Sequence, residues 1–125
     1  MSQNRGTTIL GSVFIVAGLL HFVRPSAYVG LMPSYLPAHL LLIYLSGAAE
    51  LLGGIGVLVP RWRRVAGWWL ILTLVAVFPA NVEMLMRWQA RGESSLALTV
   101  LWLRLPLQAV MIWWVWRTTQ PRTNA

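Results

Sequence analysis

Four long and almost uncharged apolar segments restrict what this chain can fold into. They cover approximately residues 7–22, 38–59, 65–86 and 96–116. A helix needs about 20 mostly apolar residues to cross the hydrocarbon core of a bilayer. The segments are continuous runs, without the alternation of apolar and polar residues that is typical of membrane β-strands. The sequence therefore predicts an all-α integral membrane four-helix bundle, with residues 1–125 forming a single membrane domain.

The composition agrees with this prediction and excludes several classes of function. Hydrophobic residues make up 58% of the chain and charged residues 10%, against about 45–50% and about 25% in soluble domains. The net charge of +7 comes from ten arginines, most of which flank the apolar segments, a placement that suits the lipid bilayer as partner and not nucleic acid. The chain has no cysteine, which excludes disulfides, thiol exchange and thiolate metal sites.

The connection between the first two segments, residues 24–37, is unusually apolar for a loop. It contains three prolines, Pro25, Pro33 and Pro37, which interrupt regular helix. Its aromatic and aliphatic side chains, including Tyr28, favour an interfacial or re-entrant loop that covers the bundle. A simple surface loop is the alternative.

The arginine count predicts the orientation in the membrane. With four spans, both termini and the 60–64 connection share one side, which carries six arginines, while the opposite side carries three. Cytoplasmic loops are enriched in Lys and Arg. The sequence therefore predicts cytoplasmic N and C termini, with loop 24–37 on the outer side.

Polar residues inside the spans are candidates for function, because a charge at the bilayer centre costs at least about 2.5–3.5 kcal/mol. Glu50 and Gln108 lie roughly 18 Å from the outer ends of their helices, and Arg104 lies roughly 12 Å deep. This similarity in depth predicts that Glu50 pairs with Arg104, with Asn81 and His21 above them. The pair would either form part of a site or only lock the helices together.

Two prolines lie close to these polar residues in sequence. Pro79, within "FPANVE", and Pro106, within "RLPLQ", each free a backbone carbonyl one turn earlier in the helix. We expect such carbonyls to accept hydrogen bonds from Asn81, from Gln108 or from a ligand.

Other polar residues have simpler interpretations. Glu83 is predicted to pair with Arg87, one helical turn further along. His21 and His39 lie near the outer boundary and are predicted to form hydrogen bonds, not to bind a metal ion or haem. The sequence predicts no catalytic residue, no metal site and no evident cofactor. The predicted ligand-binding residues are His21, Tyr28, Tyr44, Glu50, Asn81, Trp102, Arg104 and Gln108.

Several motifs together resemble the DoxX-like family of small bacterial four-helix membrane proteins. They are "GLLHFVRPSAY", "YLSGAAELLGG", "VFPANVEM" and "LRLPLQAVMIWW", and the resemblance covers roughly residues 9–116. It implies a location in the bacterial inner membrane. It also implies an association with a membrane oxidoreductase, because the family name comes from a subunit linked to a thiosulfate:quinone oxidoreductase.

These observations predict a subunit or helper of a membrane oxidoreductase system, with an intramembrane polar pocket for a quinone-like small molecule. A quinone carbonyl would accept hydrogen bonds from the buried polar groups, which would also relay protons. One alternative is a small proton-coupled transporter. Another is an assembly factor or chaperone that binds other membrane helices through the glycine-rich second segment, a face that would equally serve a homo-oligomer. The sequence does not decide whether any reaction is catalysed.

Overall fold

A computed structural model describes residues 2–25 and 38–121 of the chain. These residues form four α-helices and no strand, and each helix is long and apolar enough to span a membrane. The helices are α1 (Ser2–Val23), α2 (His39–Leu58), α3 (Arg63–Ala90) and α4 (Ser95–Thr119). The predicted all-α fold, with four helices of membrane-spanning length, is thereby confirmed. The predicted covering loop, with Tyr28, falls on residues 26–37 and so lies outside the described residues.

Helix α3 extends further than the hydropathy of its sequence predicts. It continues past Met86 as far as Ala90, and it ends because Gly92 adopts a left-handed conformation with φ of 70°. This allows the Glu93 N–H to bond the Trp88 carbonyl oxygen, at 3.2 Å, and so satisfies a carbonyl in the last turn. The end of α3 is therefore set by a glycine cap and not by the end of the apolar run.

The four helices are packed in the order of the sequence. Each helix packs against the next one, α1 and α2 most extensively, while α4 makes a smaller contact with α1 and the diagonal pairs barely touch. The start of α1 meets the end of α4, where Gly6 lies near Thr118. The Gln120 side chain donates a hydrogen bond to the Arg64 carbonyl oxygen, at 3.2 Å. One end of the bundle, here named the arginine-rich end, therefore carries Arg5, Arg61, Arg63, Arg64 and Arg117.

The buried core is small and divided into two clusters. The larger cluster joins all four helices and includes Leu10, Val57, Leu70 and Val115. The smaller lies between α3 and α4, around Met84, Leu85 and Leu101. Most other large apolar side chains are exposed on the outside of the bundle, as expected where lipid and not water is the solvent.

Candidate functional site

Glycines bring α1 and α2 into backbone contact. Gly11 and Gly18 on α1, and Gly47 and Gly54 on α2, are each seven residues apart. The two helices are antiparallel, so Gly18 faces Gly47 and Gly11 faces Gly54. A Cβ atom built on Gly18 would lie 2.7 Å from the Gly47 carbonyl oxygen, and one on Gly54 would lie 2.8 Å from that of Gly11. The close approach of α1 and α2 therefore requires glycine at these positions.

This close approach places a histidine next to the buried acid. His21 Nδ1 lies 3.4 Å from Glu50 Oε2, although His21 is near the end of α1 and Glu50 is in the middle of α2. In both helices the Cα–Cβ bonds tilt toward the N-terminus. Because the helices are antiparallel, the two side chains lean toward each other and the difference in depth is overcome. Gly47 makes room for this, since a Cβ atom there would meet the His21 Cβ at 2.6 Å.

In this pair, His21 forms a hydrogen bond, but one carboxyl oxygen of Glu50 forms none with the residues that the structure describes. His21 Nδ1 is 2.8 Å from the Ala17 carbonyl oxygen, so this nitrogen carries a hydrogen and donates it within its own helix. Within the described part of the chain, Glu50 Oε2 is buried and accepts no hydrogen bond. The Glu50 side chain as a whole keeps 20% of its surface exposed. A carboxyl oxygen that can still accept hydrogen bonds is thus buried on a helix that is long enough to span a membrane.

Tyr44 lies on the same pair of helices and contacts the neighbour of His21. Its ring stacks on Phe22 of α1, with ring centroids 5.4 Å apart and planes 5° from parallel. Stacking fixes the position of this ring, and Tyr44 precedes Glu50 in α2 by about one and two-thirds turns. His21, Tyr44 and Glu50 are hereafter called the α1–α2 polar site.

A second polar group joins α3 and α4, and here the amide groups bond to each other. Asn81 Nδ2 donates to Gln108 Oε1 at 2.5 Å, and Gln108 Nε2 donates to the Leu74 carbonyl oxygen. The acceptor is not Val75, whose carbonyl Pro79 frees, but the residue before it, so the structure shows no use of the freed carbonyl by these amides. Asn81 and Gln108 form a bridge between the helices whose donors are satisfied.

Arg104 is not brought to Glu50 as the sequence predicts. The basic side chain beside Glu50 is His21, at 3.4 Å, and Arg104 forms no ion pair within residues 2–25 and 38–121. The reason is the order of the helices: α2 and α4 lie on a diagonal and barely touch. Equal depth in the membrane therefore does not make these two residues neighbours. Trp102, on the same helix, is 53% exposed on the outside of the bundle.

The prediction for the remaining acid of the spans is confirmed. Glu83 Oε2 lies 3.6 Å from Arg87 Nη2, one helical turn further along α3. Both side chains are partly buried. In the ranges that the structure describes, no group of three or more His, Asp or Glu residues is arranged to hold a metal ion.

The structure also shows two features that the sequence analysis missed. Thr119 and Gln120 are buried at the arginine-rich end, where α4 extends beyond its predicted end at residue 116; the polar "TTQ" after the apolar run hid this packing. The second is an apolar groove of about 410 Å³ between α2 and α3. Its signal in the sequence is the spacing of Gly53 and Gly56, opposite Ala66 on the next helix.

Comparison with known families corrects the resemblance drawn from the motifs. The family model described as "Domain of unknown function (DUF8561)" matches residues 10–119. No curated protein and no solved structure matches the chain. The match is not to a DoxX family, so the resemblance to DoxX-like proteins is wrong. Motifs such as "SGAAE" and "FPAN" consist of small residues, a proline and one polar group, which close packing in many membrane bundles requires.

Proposed function

Because the chain belongs to the uncharacterised DUF8561 family, we propose a function from its own geometry: the protein binds the polar head of a lipid-soluble, quinone-like molecule at the α1–α2 polar site. The observation that carries the proposal is Glu50 Oε2, which is buried beside His21 and accepts no hydrogen bond from the described residues. Ionisable residues within membrane spans commonly mark sites of function.

The chemistry of the site suits a head group with both hydroxyl and carbonyl oxygens. A buried acceptor without a partner costs about 1–3 kcal/mol, and a ligand hydroxyl that donates to Glu50 removes this cost. The Tyr44 hydroxyl can donate to a carbonyl or accept from a hydroxyl. A quinone in its reduced, hydroxyl-bearing form offers such groups on a ring that is soluble in lipid.

The other predicted ligand residues contribute less directly to this proposal. Asn81 and Gln108 use their polar groups on each other and on α3, so we assign them to the fold. Arg104 and Trp102 lie on α4, which barely touches α2, and we leave them out of the site. Tyr28 stays a prediction.

The alternative functions are affected differently by the structure. The glycines that would serve an assembly factor or a homo-oligomer are packed against α1 and α3, which removes the main support for that interpretation. A proton-coupled transporter remains the second candidate, because Arg104, whose fixed positive charge would disfavour a cationic substrate, is not beside Glu50. The association with an oxidoreductase depended on the resemblance and stays a prediction.

Binding is tested with decylubiquinol and decylubiquinone, titrated against the protein in nanodiscs while the melting temperature is followed. A ligand that binds only the folded protein raises its stability as the concentration increases. We expect Glu50→Gln to weaken binding about tenfold or more, because a charged acceptor contributes about 1.5–3 kcal/mol to a hydrogen bond. Glu83→Gln is the matched control, since it removes the other buried acid and leaves the α1–α2 polar site intact.

Two results would contradict the proposal. One is unchanged binding by Glu50→Gln, and the other is equal weakening by both substitutions. Proton uptake into proteoliposomes that requires a cationic substrate and is lost in Glu50→Gln would instead assign the site to a transporter.

The proposal includes a location in the inner membrane, with the arginine-rich end in the cytoplasm, on the basis of the arginine count. The absence of cysteine in the sequence makes single-cysteine labelling of intact cells straightforward. We expect an impermeant maleimide to label Glu93→Cys directly and Pro60→Cys only after the cells are permeabilised. The reverse pattern would invert the topology without affecting the ligand site.

A further inference from the structure

The groove between α2 and α3 lies on the outside of the bundle, next to the arginine-rich end. Its volume is about 410 Å³ and its lining is apolar. Gly53, Gly56 and Ala66 form its floor, where α2 and α3 pack closely: a Cβ atom on Gly56 would lie 2.7 Å from the Ala66 Cβ. Trp62 lies at the end nearest the arginines, and Trp69 lies seven residues further along the chain, roughly 10 Å along the axis of α3.

Trp69 limits the length of the groove. Its indole Nε1 donates a hydrogen bond to the Ala49 carbonyl oxygen across the α2–α3 seam, at 2.9 Å. A separate depression of about 280 Å³ begins on the other side of the same tryptophan. The groove is therefore about 10 Å long, too short to seat a partner helix across a hydrocarbon core of about 30 Å. Its length suits a flexible hydrocarbon chain.

A positively charged side chain lies at the end of the groove that is closest to the arginine-rich end of the bundle. The Arg61 guanidinium lies over the Trp62 ring, 5.8 Å from the ring centroid, and the Arg61 and Arg64 side chains are exposed. Arg63 differs from them, because its Nε donates to the Val57 carbonyl oxygen at 2.9 Å and closes the end of α2. Arg61 thus places positive charge at the end of the apolar groove marked by Trp62, and Arg64 adds a second exposed positive charge in the first turn of α3.

We propose that this groove binds one anionic phospholipid of the surrounding bilayer. An acyl chain lies between Trp62 and Trp69, the phosphate contacts Arg61, and Arg64 adds to the positive potential at that end of the bundle. The guanidinium group matches the geometry of phosphate oxygens, and basic sites between membrane helices are suited to anionic head groups. Charge complementarity at the open end and the limited length together select a lipid as the occupant. This proposal is independent of the ligand at the α1–α2 polar site.

The test is native mass spectrometry of the purified full chain, released from detergent that contains equal amounts of phosphatidylglycerol and phosphatidylcholine. We expect the wild-type protein to retain one phosphatidylglycerol in preference to phosphatidylcholine. The double variant Arg61→Gln/Arg64→Gln should reduce this preference about tenfold or more, because each arginine near an anionic surface contributes about 1 kcal/mol. The matched control, Arg24→Gln/Arg91→Gln, removes the same charge from exposed arginines at the opposite end and should retain the preference.

A second pair of variants tests the groove itself. Val65→Trp fills the groove, since Val65 is part of its lining, and should reduce retention of either lipid. Val110→Trp places the same side chain on the exposed surface of α4 and should leave retention unchanged. Circular dichroism of all four variants checks that the helices are formed.

Three results would overturn the proposal. Equal loss of preference in both arginine double variants would show a general effect of charge, and unchanged retention in Val65→Trp would show that the groove is not occupied by an acyl chain. A dimer in the wild-type spectrum that disappears in Val65→Trp would assign the groove to a second copy of the chain.

Discussion

The α1–α2 pair and the α3–α4 pair hold polar groups inside the bundle in opposite ways. Between α1 and α2, facing glycines allow backbone contact, and the buried acid Glu50 is left with an oxygen that accepts no hydrogen bond from the described residues. Between α3 and α4, the amides of Asn81 and Gln108 bond to each other and to the backbone, while Glu83 Oε2, which is also buried without a hydrogen bond from the described residues, lies beside Arg87 of its own helix.

The difference indicates which polar residues serve stability and which are available for binding. A satisfied amide bridge contributes to the stability of the fold, and removing one partner leaves the other with its desolvation cost. An acid beside a histidine in a seam already held by glycine contact contributes little to stability. We therefore expect the α3–α4 bridge to tolerate substitution poorly, and Glu50 to tolerate it well in the absence of ligand.

The largest expected effect is on the glycine contact of the first pair. Gly18→Ala should lower the free energy of unfolding by about 1–3 kcal/mol, because the new Cβ would meet the Gly47 carbonyl oxygen at 2.7 Å and a backbone atom cannot move aside cheaply. Gly6→Ala is the control on the same helix, since its Cβ would have only an ordinary contact, at 3.5 Å, with Thr118. Unfolding in mixed micelles measures both. Equal stability of the two variants would show that α1 and α2 are not in backbone contact.

The next effect concerns the amide bridge of the second pair. Gln108→Leu should cost about 1–2 kcal/mol, since it leaves the Asn81 amide without its acceptor. The double variant Asn81→Leu/Gln108→Leu should recover part of this loss, because no unpaired amide remains. A double-mutant cycle in the same unfolding assay gives the coupling energy, and strictly additive losses would refute the bridge.

A smaller effect distinguishes the two partners considered for Glu50. A cycle with Glu50→Gln and His21→Leu should give a coupling of about 0.6 kcal/mol and at most about 1.7 kcal/mol, the range found for polar pairs in membrane proteins. A cycle with Glu50→Gln and Arg104→Gln should be additive within about 0.3–0.5 kcal/mol. A larger coupling to Arg104 than to His21 would favour the pair that the sequence predicts over the one in the structure.

The smallest effect is expected at the Glu83–Arg87 pair. Glu83→Gln should change the free energy of unfolding by about 0.2–0.5 kcal/mol, as usual for partners one turn apart on a helix. The same assay at two salt concentrations checks the electrostatic origin, because added salt should reduce the difference. A loss comparable to that of Gln108→Leu would mean that this pair, and not the amide bridge, stabilises the second half of the bundle.

The sequence predicts the spans and the local pairs well, and the distant pairs poorly. The four spans depend on length and hydropathy alone, and Glu83 with Arg87 depends on helical spacing alone, so neither needs the arrangement of the helices. A prediction of the partner of Glu50 does require the arrangement of the helices, because depth along the membrane normal does not determine which helices are neighbours. The spacing of Gly11 and Gly18, repeated at Gly47 and Gly54, carries that information, since glycines seven residues apart on two consecutive segments indicate an antiparallel contact.

Gln108 also determines how α3 can move. A proline in a membrane helix lacks one hydrogen bond, and the segments before and after it can then swing relative to each other. Here a single side chain of α4 bonds to Leu74 before Pro79 and to Asn81 after it, so both segments are tied to the same neighbour. We therefore expect α3 and α4 to move together, so that a rearrangement of the bundle would take the form of sliding or tilting of the first hairpin against the second.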